Sequence, residues 1–226
     1  MKSLTHYIQE KLVIKKSNNS YKCFPQTKNE LKDIILRRIE NEGNGVDLND
    51  IDVSNITDMS KLFVYLDFNG DISQWNVSNV NNMEYMFGGC EKFNSNISSW
   101  DVSNVKNMYG MFLGCKAFNQ DISEWNVSNV INMKCMFREC VDFNKNISTW
   151  DVSNVKCMSS MFSRCKAFNQ DISKWNVSNV TDMSYMFWHC ENFNQDISNW
   201  DVSNVKDNNY MFTDCQIQEK YKPKFK

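Results

Sequence analysis

The chain repeats itself every 25 residues, and no other feature constrains its fold as tightly. Trp75, Trp100, Trp125, Trp150, Trp175 and Trp200 are evenly spaced. So are Phe87, Phe112, Phe137, Phe162, Phe187 and Phe212, and so are Cys90, Cys115, Cys140, Cys165, Cys190 and Cys215. The unit is D/N-I-S-x-W-N/D-V-S-N-V-x-x-M-x-x-M-F-x-x-C-x-x-F-N-x, and six copies begin at Asp71, Asn96, Asp121, Asn146, Asp171 and Asp196. A degenerate seventh precedes them at Asp47, one residue shorter between Phe63 and Phe68, with Leu48, Ile51, Val53, Ile56, Met59 and Leu62 in the apolar slots. A lone unit has no interior in which to bury its Ile, Trp, Val, Met and Phe, whereas stacked units bury them against one another.

Two periodicities run through each unit. Val105, Met108, Met111, Phe112 and Cys115 follow helical spacing, with Ser103 as the N-cap, which predicts a short helix. Trp100 and Val102 flank Asp101 with strand spacing, and Ile97, three residues before Trp100, marks a bend. The expected fold is therefore an α/β repeat solenoid, a leucine-rich-repeat-like curved stack of seven strand–helix coils. Strands about 4.8 Å apart inside and helices about 8–10 Å apart outside would impose the curve.

In such a stack Asn79, Asn104, Asn129, Asn154, Asn179 and Asn204 form a ladder that satisfies backbone groups at a corner. Two further columns alternate charged and neutral: Asp71, Asn96, Asp121, Asn146, and Asn76, Asp101, Asn126, Asp151. Asn in place of every second Asp keeps the shape while separating like charges. Residues 1–46 form the N-terminal helical segment and cap, 47–217 the repeat array and 218–226 a basic tail. Within the first segment, residues 1–16 suit a helix with Leu4, Tyr7, Ile8 and Leu12 on one face. A second helix starts at the Thr27/Glu30 capping box, carries Leu31, Ile34, Ile35 and Ile39 on one face and stops at Gly43.

The W-D/N-V-S-N-V-x-x-M-x-x-M-F core resembles the BspA-type leucine-rich repeat, also called the Mycoplasma-type lipoprotein repeat, over about residues 47–217. That resemblance implies bacterial surface proteins, some of them adhesins. The chain departs from the pattern at its N-terminus, MKSLTHYIQEKLVIKK, which has neither the apolar run of a signal peptide nor a lipobox cysteine. An intracellular or virion-associated location is expected in place of surface display.

Formal net charge is −2, with the basic residues gathered at the ends, so no nucleic-acid partner is expected. No apolar run approaches the ~20 residues of a membrane span, so no membrane insertion is expected. The cysteine spacing fits no zinc pattern, and the ladder is expected to be buried free thiols, with Cys135 and Cys157 the more reactive pair. The Asp columns lack the glycine-rich nonapeptide of calcium β-rolls, and no metal or cofactor is assigned. Only His6 and His189 exist, and Ser occurs mostly in repeated turn slots, so no catalytic constellation is apparent and no enzymatic activity is expected.

A partner would be read where the units differ. Tyr85, Tyr185 and Tyr210 occupy one variable slot, and Trp188 is the only tryptophan outside the ladder, beside His189. Aromatics of this kind are enriched in binding hot spots, so Tyr185, Trp188, His189, Tyr210 and Tyr85 are the candidate partner-binding residues. The expected function is a non-enzymatic protein-interaction module for recognition or adhesion. The alternative is a structural or decoration protein of a phage particle or surface layer, docked by its N-terminal helix.

Overall fold

The computed structural model describes residues 21–225. The helix expected over residues 1–16 lies outside them. Helix α1, Lys28–Glu42, forms where the capping signals placed it: the Thr27 side chain accepts from the Glu30 N–H, and Gly43 ends the helix at φ 89°. Its Leu31 and Ile35 are fully buried in the same core as the first coil, and Arg38 and Lys28 reach Asp50 and Asp58 of the array.

The rest corrects the expected architecture. The repeats are not strand–helix coils: among the described residues α1 is the only α-helix, followed only by a 3-10 turn at Glu219–Tyr221, and each coil offers one bridging residue in place of a strand. The curvature argument from packed outer helices therefore has no basis here.

Each coil is a closed chain of β-turns. In the coil beginning at Asp121, backbone N–H groups donate three residues back, from Trp125 to Ile122, Val130 to Val127, Met136 to Met133, Cys140 to Phe137 and Phe143 to Cys140. The first and last residue of each turn point inward and the two between them face out. Apolar residues three apart are thus turn corners, and the spacing mimics a helix.

What forbids the helix is the backbone sign. Two positions per coil have positive φ: the first is Tyr85, Gly110, Cys135, Ser160, Tyr185 and Tyr210, and the second is Gly89, Gly114, Glu139, Arg164, His189 and Asp214. Positive φ at the third residue is the conformation of a type II turn, in which Gly is the unstrained choice. A non-Gly residue there costs about 1–2 kcal/mol. The conformation is held by hydrogen bonds to the next coil: the N–H groups of Met133, Cys135, Phe137 and Glu139 donate to the carbonyls of Cys157, Ser159, Met161 and Ser163. Glu139→Gly is expected to raise stability by about 0.5–1 kcal/mol, the strain relieved less the entropy of Gly. Gly114→Ala, where an added Cβ would meet nothing nearer than 3.7 Å, is expected to lower it by about 1 kcal/mol through backbone strain alone. Urea unfolding of the two variants checks both signs.

The stack is in register. Asp58, Asn82, Asn107, Asn132, Cys157, Asp182 and Asp207 form a column of parallel bridges, one per coil. The amide of Asn129 donates to the Ser103 carbonyl of the preceding coil at 2.7 Å, and the other five members of the expected Asn ladder do the same. A second ladder follows each Phe-Asn pair, where Asn119 Oδ1 accepts from the Asn144 N–H and Asn144 Oδ1 from the Asn169 N–H. The alternating Asp/Asn columns serve one purpose with either residue. Asp121 and Asn126 each accept from the N–H two residues on, Ser123 and Ser128. Ser103 is likewise not a helix cap; its N–H donates to Asp101.

The core is a set of side-chain files. Phe87, Phe112, Phe137, Phe162 and Phe187 stack with ring centroids 5.7 Å apart. A second file, Phe93, Phe118, Phe143, Phe168 and Phe193, runs beside it at 5.9–6.0 Å. Each of the six ladder tryptophans donates its Nε1 to a carbonyl of the coil before, Trp125 to Ile97 and Trp150 to Ile122 among them. Each buried cysteine of the ladder does the same with its thiol: Cys140 donates to the Phe112 carbonyl at 3.0 Å and Cys165 to that of Phe137 at 2.7 Å. Cysteine fits this slot because it is both a small hydrophobe and a donor.

Both ends are covered. Helix α1 lies over the first coil. At the other end the basic tail folds onto the last coil: Ile197 N–H donates to the Tyr221 carbonyl, Ile217 is buried, and Tyr221 and Phe225 pack against the core.

Candidate functional site

The left-handed turn positions of successive coils lie along one face, and there the repeat is broken. In the flanking coils the first such position carries a large ring, Tyr85 on one side and Tyr185 and Tyr210 on the other. Between them it shrinks to Gly110, Cys135 and Ser160. The space left is a groove of about 660 Å3. Tyr85 and Tyr109 with Lys134 and Arg138 form one side, and Tyr185, Trp188, Asp182 and Asp207 the other.

Its aromatic walls are fixed by neighbours. Tyr85 packs against Tyr109 with centroids 4.6 Å apart, and its ring covers Gly110, where an added methyl would meet Tyr85 Cε1 at 2.6 Å. Gly110 is therefore favoured by its φ of 58° and required by the ring above it. Tyr185 stacks on Tyr210 at 5.0 Å and meets Trp188 edge-on at 6.2 Å. The Arg164 guanidinium lies 4.6 Å from the Trp188 ring centroid, a cation–π contact that holds the indole in place.

The floor is polar. Ser159, Ser160, Ser163 and Ser184 line it at 5%, 9%, 1% and 7% exposure, and Ser60 is the only other buried polar residue described. Ser159 and Ser184 hydroxyls share a hydrogen bond of 2.9 Å, and Ser184 donates onward to Asp182 Oδ1 at 2.7 Å. Ser160 lies close to the Cys135 thiol. Ser163 has no side-chain hydrogen bond among the described residues and opens onto the groove.

Of the five sequence-derived candidates, Tyr85, Tyr185 and Trp188 line this groove. Tyr210 stands behind Tyr185 and lines a separate groove at the C-terminal end with Phe212, Lys222 and Phe225. His189 is turned away; its Nε2 lies 3.4 Å from Asp214 Oδ2 and its ring abuts Trp188. Tyr109, Arg138 and the buried serines were missed. Serine is so frequent in the turn slots that its presence in these four positions carried no signal in the sequence. The replacement of Tyr by the smaller Gly110, Cys135 and Ser160 at the central coils was the visible clue.

Cys135 is buried beside Arg138 and Ser160, and burial raises its pKa even against the nearby cations. Cys157 is half-buried in contact with Asp182, and burial again pushes its thiol up. Both are less buried than the ladder thiols Cys90, Cys115, Cys140, Cys165 and Cys190, in line with their reading as the more accessible pair, although burial disfavours the thiolate in each. In the ladder, burial moves Cys90 up to about 12 and Cys115, Cys140 and Cys190 well above the ordinary thiol value.

Among the described residues no three His, Cys, Asp or Glu side chains gather closely enough to hold a metal ion. No described helix is long and apolar enough to cross a membrane.

With this geometry in place, comparison with known proteins gives a family. The model described as "Mycoplasma protein of unknown function, DUF285" matches residues 35–144 and again 120–224. The chain belongs to this family. DUF285 covers the array from within α1 to the tail, which agrees with the Mycoplasma-type repeat read from the sequence; the leucine-rich-repeat label attached to that repeat is not carried by the match. No curated protein matches the chain, and no solved structure does.

Proposed function

We propose that the chain is a non-enzymatic recognition module that engages a protein-borne partner through its grooved face. One observation carries this reading: on a stack whose coils repeat the same core residues, a groove of about 660 Å3 is lined by slots at which the coils differ. The rigid aromatics around it, Tyr85, Tyr109, Tyr185 and Trp188, bring large contact area at little conformational cost. The coil-to-coil ladders beneath hold those rings in fixed positions before any partner arrives, which lowers the ordering cost of association.

The test is positional photo-crosslinking in extracts of the cells that express the chain. Benzoylphenylalanine replacing Tyr185 is expected to give a discrete adduct. The same probe replacing Ser99, exposed in a variable slot outside the groove, is expected to give none. Identical adducts from both positions, or none from either, would remove the grooved face as the contact surface.

A further inference from the structure

We infer that the groove between Tyr109 and Trp188 is a binding site for a neutral oligosaccharide. This rests on the recognition reading and specifies what the face grips.

The argument begins with the floor. Burying a hydroxyl without a partner costs about 1–3 kcal/mol, so an apolar occupant that drove water from Ser163 and its neighbours would be penalised. Ser163, only 1% exposed and without a side-chain partner among the described residues, is directed at whatever fills the groove. A serine hydroxyl both donates and accepts, and Asp182 and Asp207 accept while Arg138, whose Nε pairs with Glu139 at 3.6 Å, offers its terminal guanidinium nitrogens as donors. A ligand whose own groups are hydroxyls, each both donor and acceptor, satisfies all of them at once.

The walls point the same way. Tyr109, Tyr185 and Trp188 line the groove with aromatic rings, Tyr109 backed by Lys134, Tyr185 by Tyr210 and Trp188 by Arg164, and rings of this kind suit the electropositive C–H groups on the flat side of a pyranose. Charge is balanced across the groove, with Lys134 and Arg138 opposite Asp182 and Asp207, so a strongly anionic or cationic ligand gains on one side what it loses on the other.

A peptide fits less well. Strand addition needs a free backbone edge. Here the backbone N–H groups of Cys135, Glu139, Ser160 and Arg164 are already committed to the carbonyls of Ser159, Ser163, Ser184 and Trp188. What remains available is side-chain hydroxyl, carboxylate, guanidinium and aromatic surface, at a volume typical of small-ligand sites.

The experiment probes the full chain against an array of immobilised trisaccharides built from neutral hexoses and N-acetylhexosamines. The strongest binder is then titrated calorimetrically. At least one neutral trisaccharide is expected to bind with a Kd tighter than about 1 mM. Trp188→Ala, and Ser163→Leu, which fills the floor, are each expected to weaken it at least tenfold. Tyr65→Ala, outside the groove, should leave it unchanged, and thermal unfolding should show all three variants folded. If Ser163→Leu does not fold, Arg138→Ala takes its place with the same expectation. No binding, binding that survives both groove substitutions, retention of acidic sugars only, or retention of peptides in place of sugars would each overturn the assignment. A Tyr185 photo-adduct that forms although no trisaccharide binds overturns the saccharide alone; loss of both overturns the recognition reading too.

Discussion

Stability should collapse on the alkaline side. Cys90, Cys115, Cys140, Cys165 and Cys190 are fully buried, and burial holds the pKa of each above the ordinary thiol value. In the unfolded chain the same thiols ionise near pH 8.5. A folded-state pKa raised in this way leaves its stabilising contribution complete below the unfolded value and removes it as pH climbs toward the folded one. Each thiol then subtracts up to about 1.4 kcal/mol per pH unit, and five together approach about 7 kcal/mol per unit. Against a whole-domain stability of about 5–15 kcal/mol, unfolding is expected within one to two pH units above about pH 9. Urea titrations under reducing conditions, repeated from pH 7 to pH 11, measure the slope directly. Cys140→Ser, which keeps a donor for the Phe112 carbonyl and removes one ionising group, should reduce that slope by about a fifth. A free energy of unfolding that stays level through this range would show that the thiols are not sequestered.

The second large effect is Phe137→Ala. The ring is fully buried, with centroids 5.7 Å from Phe112, 5.7 Å from Phe162 and 4.2 Å from Phe143. Removing it opens a cavity at the middle of both phenylalanine files, at a cost of about 3–5 kcal/mol. Coils touch only their neighbours, so the damage is concentrated at one junction, and the two halves should begin to unfold separately. Phe212→Ala, in the last coil where the ring is only half-buried, should cost well under half as much. Equal losses at the two positions, read from denaturant midpoints, would contradict a core built of continuous files.

These effects rest on features that were legible to different degrees in the sequence. In-register stacking follows from the even spacing of Trp, Phe and Cys, and the Asn129 amide does bond the coil before it. Helix α1 was legible from Thr27, Glu30 and Gly43 because its start and stop signals act locally. The interior of the repeat was not. Val105, Met108 and Met111 stand three apart both on a helix and at the corners of consecutive turns, and spacing alone does not separate the two. The sign of φ separates them. Glycine would have announced it, but Cys135, Glu139, Ser160 and Arg164 hold left-handed positions without glycine, supported by bonds to the next coil. Trp100 and Val102 alternate like a strand, yet they sit at the boundary between the 97–100 and 102–105 turns.

The candidate site was half legible for the same reason. Trp188, Tyr185 and Tyr85 stood out as aromatics outside the repeating pattern. Tyr109 and Ser163 belong to slots that vary without an obvious rule, and only the stacking of three coils brings them to one groove.

Because the left-handed corners are fixed by main-chain bonds running from coil to coil, the side chains mounted there contribute little to keeping the corners in place. Lysine, tyrosine, cysteine, serine, arginine and aspartate all stand at such corners in this one molecule. Selection can therefore rewrite what the exposed face says, one corner at a time, while the scaffold that displays it stays the same.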